Sequence, residues 1–410
     1  MTAPDDSSVD LFDPEGYVDG APHAQLAALR DRDPVHWQDV PGGAGYWAVL
    51  RHADVVVVAR QPEVFSASLG GVMLEDLEPD QLEMMRHMLL AMDPPTHDSH
   101  RQPLAPSFGA RVIGRMEQRI RTICRDILGR LADDSEIDFV HQVAAELPTQ
   151  VVGELMGLPR DDWARIHLWS AQQTAGQDPE VSGSDSGDGA MEASINMAMY
   201  GIELAGRRRG EPPRDDLTSL ILESQFDGEP IGDVEFGSFF VQLVTAGNDT
   251  TTTMLSSGTL ALLEHPDQLV ALRRQPDLIP GAVEEILRWA NPLHYFRRTA
   301  TRDTVLGETE IAAGDKVAMI YTSANRDEAV FRDPHAFDIT RSPNPHLSFG
   351  IGPHFCLGAH LARLEGRIFF EELLAAFDVI ELAGTPRRVR SNLNNGLKEL
   401  PLRLVRRSTA

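Results

Sequence analysis

The chain is poor in cysteine, in long apolar runs and in basic residues. Only two cysteines, Cys124 and Cys356, occur in 410 residues. One pair cannot make a disulfide framework, and two sulfurs cannot supply a four-cysteine zinc site or an iron–sulfur cluster. The shortage points to a reducing, cytoplasmic setting. No stretch approaches the roughly 20 apolar residues that span a bilayer. The opening Met1-Thr2-Ala3-Pro4-Asp5-Asp6 lacks the basic start and apolar core of a signal peptide, so no membrane association is expected. Bases number 37 against 62 acids, a formal net charge of −25. Phosphate backbones repel such a chain, which argues against non-specific nucleic-acid binding.

What is present suits a globular protein. Apolar residues make up 42% and charged residues 24% of the chain, so sustained disorder is not expected. The length allows two or three domains, or one large integrated fold. The pattern is mostly helical. Residues 45–58 suggest a strand followed by a helix, and apolar spacing predicts helices over 111–131, 147–156 and 191–205. A long apolar helix spans 233–264 and stops at His265-Pro266, and a shorter one covers 276–290 and closes at Asn291-Pro292. Alternation around 293–320, including 305–311 and 317–321, reads as sheet, and a last helix runs from about 357 to 377. The glycine- and serine-rich residues 176–189 read as a mobile loop. No repeat or low-complexity linker divides the chain.

Cys124 lies on a helical apolar stripe, where a free cysteine is a small buried hydrophobe. Cys356 differs. It sits in Phe349-Gly350-Ile351-Gly352-Pro353-His354-Phe355-Cys356-Leu357-Gly358, directly before an amphipathic helix. Glycines let backbone N–H groups approach sulfur, and a helix N-terminus favours thiolate over thiol. A thiolate in such a loop, with an aromatic residue seven positions earlier, suits the proximal side of an iron porphyrin. A redox or nucleophilic cysteine is the other reading, though no companion base is nearby in sequence.

At these ten positions the chain resembles the cytochrome P-450 superfamily, in particular its soluble bacterial, actinobacterial-type members, and three further motifs follow the family's order. The resemblance covers about residues 10–405. It implies a mainly α fold with small β-sheets, a single large domain spanning 1–410 around a buried haem b, no fused reductase, and residues 1–10 as a flexible segment. It also implies that Cys356 is the axial ligand, that Phe349 packs beside it, and that His354 meets a haem propionate. Gly358 belongs to the same loop.

The second motif is Ala246-Gly247-Asn248-Asp249-Thr250-Thr251, a run of poor helix formers inside the long helix. By resemblance Gly247 leaves room on the distal side of the haem, Thr250 hydrogen-bonds O2 or an ordered water, and Asp249 admits protons. The third is Glu285-Ile286-Leu287-Arg288, which the family joins to a later arginine, here Arg341, as a structural ion network. The fourth concerns the propionates. His97 and Arg101 share a helical face, and Arg298 matches a further propionate-binding position, whereas His100 is read as a non-ligand.

The implied activity is a monooxygenase that inserts one atom of O2 into a C–H bond of an apolar small molecule such as a steroid, terpenoid, branched lipid or polyketide. Electrons come from a ferredoxin and its reductase, with Arg111, Arg115, Arg363 and Arg367 offering a basic patch, and the protein acts as a monomer. A peroxide-driven peroxygenase and a non-enzymatic haem gas sensor or carrier are alternatives; the Asp249-Thr250 pair argues against the first. Helical counting puts Phe239, Gln242, Leu243 and Ala246 along the cavity face, with Thr245 adjacent. Strand alternation points His294 and Phe296 to one side. Met73, Leu74, Met84, Met85 and Met88 belong to a substrate-covering segment or, equally, to the ordinary core.

Overall fold

The computed structural model describes residues 10–183 and 188–407. The elements that position the site are nine helices. They are α1 (His52–Arg60), α2 (Thr96–Leu104), α3 (Glu117–Gly129), α4 (Glu146–Leu155), α5 (Trp163–Thr174), α6 (Asp188–Arg208), α7 (Asp233–Glu264), α8 (Ile279–Ala290) and α9 (Ala359–Ala376). Beside them lies a five-stranded sheet of β1 (Val35–Gln38), β2 (Tyr46–Val49), β3 (Phe65–Ser66), β4 (Tyr295–Ala300) and β5 (Lys316–Ile320), in the order β1-β2-β5-β4-β3. β5 runs parallel to β2 and antiparallel to β4, pairing Val317 with Arg298.

The axis of the fold is α7. Its 32 residues extend about 48 Å at the usual helical rise. Helices α4, α5, α6, α8 and α9 all pack on it. The largest apolar core runs through these contacts, from Ile120 and Leu147 through Phe236 and Leu255 to Ile368 and Phe369. Polar residues are tolerated mid-helix because their hydroxyls bond back along it. Thr250 Oγ1 donates to the Ala246 carbonyl (2.7 Å), Thr252 Oγ1 to Asn248 (3.0 Å), Ser256 Oγ to Thr252 (2.7 Å) and Thr259 Oγ1 to Leu255 (2.8 Å). Proline at 266 cannot continue the ladder, so α7 stops at Glu264 and a new helix starts.

Two sequence expectations change. The single helix over 111–131 is broken into Ala110–Ile113, a 3₁₀ turn at Gly114–Met116, and α3; Gly114 sits at the break. The segment 176–189 is not a continuous loop. Asp178 caps a short helix, Pro179–Ser182, and accepts hydrogen bonds from Arg390 N (2.9 Å) and Lys398 Nζ (3.0 Å). Residues 184–187, and residues 1–9 of the expected flexible N-terminus, lie outside the described residues. Among the described residues no helix is long and apolar enough to cross a membrane.

Candidate active site

The loop before α9 is shaped by its backbone. Gly350 (φ +65°) and Gly352 (φ +77°) both occupy the left-handed region. A Cβ on Gly352 would lie 2.6 Å from the Ala59 carbonyl of α1, so only glycine fits there. Cys356 N donates to the Phe349 carbonyl (2.8 Å), closing the loop. The Gly358 N–H donates to the cysteine sulfur, and Arg101 and Arg363 add positive charge nearby. These three influences favour the thiolate, but burial outweighs them and pushes the free thiol up. The Arg363 guanidinium stacks over the Phe349 ring at 4.5 Å from its centroid.

Around this loop stand two histidines and two arginines, with Asp98 bonded to one of the histidines. His97 and His354 lie with ring centroids 4.4 Å apart, and the Nε2 atom of each is buried without a hydrogen-bond partner. Burial and the neighbours Arg298, His97 and Arg101 push His354 down to about 2; burial likewise lowers His97, despite its hydrogen bond to Asp98 (2.9 Å). Arg298 is buried, donates to the Arg297 carbonyl (2.8 Å) and makes no ion pair among the described residues. Arg101 donates to the Phe355 carbonyl (2.6 Å), next to Cys356. Orphaned imidazoles and an unpaired buried guanidinium are costly unless an anion meets them. Two carboxylates on the rim of a porphyrin are such anions, and the donor set therefore fits a haem whose iron is reached by Cys356.

Beneath the loop, Glu285 and Arg288 are wholly buried. Glu285 accepts from Arg288 (2.7 and 2.8 Å), Arg341 Nε (3.0 Å), Asn344 Nδ2 (3.1 Å) and Asp338 N (2.9 Å). Arg288 also donates to the carbonyls of Asn325 and Pro334 (both 2.9 Å). Asn325 Oδ1 then accepts from Leu347 N (2.7 Å), two residues before Phe349. The network ties α8 to the cysteine loop without touching it.

On α7 the structure separates residues that helical counting had grouped. Ala246 is exposed in the middle of a mostly buried helix, so this point of α7 borders open space rather than packed side chains. Gly247 does not. A Cβ there would lie 2.6 Å from Val152 Cγ2, so Gly247 lets α4 approach closely, and the room expected from it belongs to Ala246. Phe239 is also corrected. It is 1% exposed and packs against Phe226 and His100, out of the cavity. His294 is buried against Tyr17 (centroids 4.7 Å apart) with Nδ1 on Thr322 Oγ1 (2.8 Å), and is spent in the core. Burial pushes it down to about 3. Phe296 is half-buried beside Met73 and Met85, and Leu74 is core. Leu243 is partly buried, and Gln242 Oε1 and Thr245 Oγ1 are buried atoms without partners. His100 Nε2 is held by Glu235 (2.7 Å), away from any ligand role.

Asp249 reaches α5, where Ser170 Oγ and Thr174 bond its carboxyl. Burial outweighs those bonds and raises it to about 6. Ser170 and Thr174 carry no local signal in the sequence; they are found only when α5 is laid against α7. Thr250 gives its one hydroxyl proton to Ala246, which leaves its oxygen as an acceptor.

A family model for cytochrome P450 matches residues 199–404. The chain is 40% identical to a steroid C26-monooxygenase of Mycolicibacterium smegmatis, over 96% of this chain and 92% of that one. The chain belongs to the cytochrome P450 family. It is also 38% identical to a methyl-branched lipid omega-hydroxylase of Mycobacterium tuberculosis, over 92% and 90% of the two chains. A Mycobacterium marinum cytochrome P450 in complex with pseudoionone superposes with a TM-score of 0.87 at 37% identity, covering 93% of this chain and 94% of that one. The protein is thus a P450 monooxygenase of actinobacterial type, a haem enzyme that hydroxylates an apolar substrate with O2 and electrons from a redox partner.

Proposed function

We propose that this P450 hydroxylates a methyl-branched apolar molecule, of the steroid, terpenoid or branched-lipid class, at a carbon near a chain end. Two relatives support that choice, one named for C26 of a steroid and one for the omega position of a methyl-branched lipid. The α7 face agrees, since Leu243 and Ala246 are apolar and only Gln242 and Thr245 bring unpartnered polar atoms. The observation that carries the chemistry is the adjacent His97–His354 pair, each with an orphaned Nε2, together with Arg298 and Arg101 around the Cys356 loop.

In this reading haem b is held by Cys356, with Phe349 beside the sulfur and His97, Arg101, Arg298 and His354 on the propionates. The haem supplies the oxidising chemistry, placing one atom of O2 in a C–H bond while the other leaves as water. The chain does the rest. Gly358 N–H and Arg101 stabilise the charge on Sγ. Asp249, raised to about 6 by burial, holds a proton at mildly acidic pH and exchanges it readily towards neutrality, and Ser170 with Thr174 links it towards α5. Thr250 accepts a hydrogen bond from an ordered water and donates only by turning away from Ala246. Glu285, Arg288 and Arg341 are structural.

The described residues act as one haem-thiolate domain, monomeric and cytoplasmic, supplied by a ferredoxin and its reductase. Arg111 and Arg115 are exposed and free of ion pairs among the described residues. They flank a cavity of about 270 Å³ lined by Ile113, Pro280, Val283 and Leu364. Arg363 and Arg367 contribute less than expected, because Glu284 holds the first (2.7 Å) and Glu117 the second (2.8 Å). The test is a titration of the purified holoenzyme with a side-chain-bearing steroid, an acyclic terpenoid ketone, a methyl-branched fatty acid and a macrolide. A low- to high-spin shift with one of the first three, and a product oxygenated at its branched end, is expected. A shift with the macrolide alone overturns the substrate class.

A further inference from the structure

A second polar cavity, of about 230 Å³, lies at the C-terminal end of α7, closed by the end of α8 and the chain around residues 19–23. Its floor is Arg326, which is 3% exposed. The Arg326 guanidinium stacks on Trp289, 4.6 Å from the ring centroid, and Nη2 donates to the Trp289 carbonyl (3.1 Å). Nη1 is buried and has no partner. Two further lining atoms share that state, Ser257 Oγ on α7 and His23 Nδ1. Arg388 supplies a second guanidinium, whose Nη1 donates to Asn395 Oδ1 (3.5 Å) and whose Nε would stand 3.4 Å from a Cβ on Gly20. The two acids that line the cavity, Asp19 and Glu264, are exposed. Arg326 is buried, Arg388 half-buried and the two acids solvated; the charge of Glu264 tempers Arg388, but neither acid makes an ion pair with either arginine among the described residues.

We propose that this cavity binds a small oxyanion, a phosphate or a short carboxylate, between Arg326 and Arg388. A guanidinium presents paired N–H donors suited to such a group, and Ser257 adds a hydroxyl donor. The volume, about 230 Å³, admits a small oxyanion with its first waters. The neighbourhood supports the assignment. Burial, and then Arg288, Arg30 and Arg388, drag Arg326 down to about 9, opposed only by a Glu285 already saturated by Arg288 and Arg341. His23 falls to about 2 under burial and four positive or imidazole neighbours, Arg326, His294, His335 and Arg388. An anion relieves each of these. Neither side chain belongs to the haem machinery. Ser257 stands seven residues, about 10 Å, along α7 from Thr250, so the cavity is separate from the oxygen side.

The test titrates the holoenzyme, at constant ionic strength set with sodium chloride, with inorganic phosphate, acetate and succinate, following heat by calorimetry and the unfolding midpoint. A saturable heat and a saturable rise in midpoint with at least one of the three are expected. Arg388→Gln and Arg326→Gln should weaken binding at least tenfold while the reduced–CO spectrum stays unchanged. Should Arg326→Gln fail to fold, Arg388→Gln decides by itself. A saturable response to phosphate alone marks inorganic phosphate as the ligand, and one to carboxylates marks an organic acid. Absence of saturation with all three, or unaltered binding in Arg388→Gln, overturns the proposal.

Discussion

The Cys356 loop and the polar stretch of α7 are held in place by opposite means. The loop is set by backbone: two left-handed glycines, a carbonyl of α1 within 2.6 Å of where a Cβ would stand, and N–H groups reaching Phe349 and the sulfur. The α7 stretch is set by side chains from distant elements, Ser170 on Asp249 and Val152 on Gly247. Their buried acids differ in the same way. Asp249 is supported by hydroxyls and rises only to about 6, whereas Glu365 on α9 has a buried, partnerless oxygen and rises to about 8. A backbone-built site breaks at one residue; a side-chain-built site is tuned by several.

The largest break is expected at Gly352→Ala. The left-handed φ and the contact with Ala59 together cost about 3 kcal/mol. Haem content per purified chain should fall severalfold, and a normally loaded variant would show that the backbone is not what holds the loop. Asp249→Asn comes next, lowering O2-dependent product formation about 10²-fold, the usual scale for a positioned proton donor. The wild-type pH–rate profile should bend near 6 and the variant's should not. Ser170→Ala removes a bond to the carboxylate form, so the bend should move to higher pH; an unmoved bend separates Ser170 from proton delivery.

Glu365 sharpens the contrast on the other helix. Its folded pKa, about 8, exceeds the ordinary 4.5, so between those values the folded chain binds the extra proton. Stability must therefore fall as pH rises through that window, by roughly 5 kcal/mol at most. Glu365→Gln, measured by denaturant unfolding from pH 5 to pH 8, should flatten that slope, and an unchanged slope assigns it to other groups. The smallest effect is expected at the surface. Arg111→Glu with Arg115→Glu should slow reduction by ferredoxin a few-fold, most at low salt, and leave the CO spectrum alone. Unchanged reduction rates move the docking face elsewhere.

This contrast also explains what could be read from the sequence. The bounds of α7 were legible to the residue, because a closing proline and apolar runs on both sides of its polar stretch are local signals. The Cys356 loop was legible because its glycines carry the conformation in their own identity. The cavity face was not. Counting by helical turns placed Phe239 beside Ala246, but Phe226 and His100 from other elements claim its ring. His294 obeyed strand alternation only until Tyr17 and Thr322 took it into the core. Gly247 had the right composition for an opening, and only the position of Val152 shows that it seats another helix. Ser170 stayed hidden because 79 residues separate it from Asp249.

The central claim is that Cys356 carries a haem iron as thiolate. The difference spectrum of the reduced holoenzyme under CO tests it most directly. Wild-type protein should show the strongly red-shifted Soret band of thiolate ligation, and Cys356→Ala should lose it. A wild-type band at the position of histidine-ligated haem, or a red-shifted band that survives in Cys356→Ala, contradicts the account.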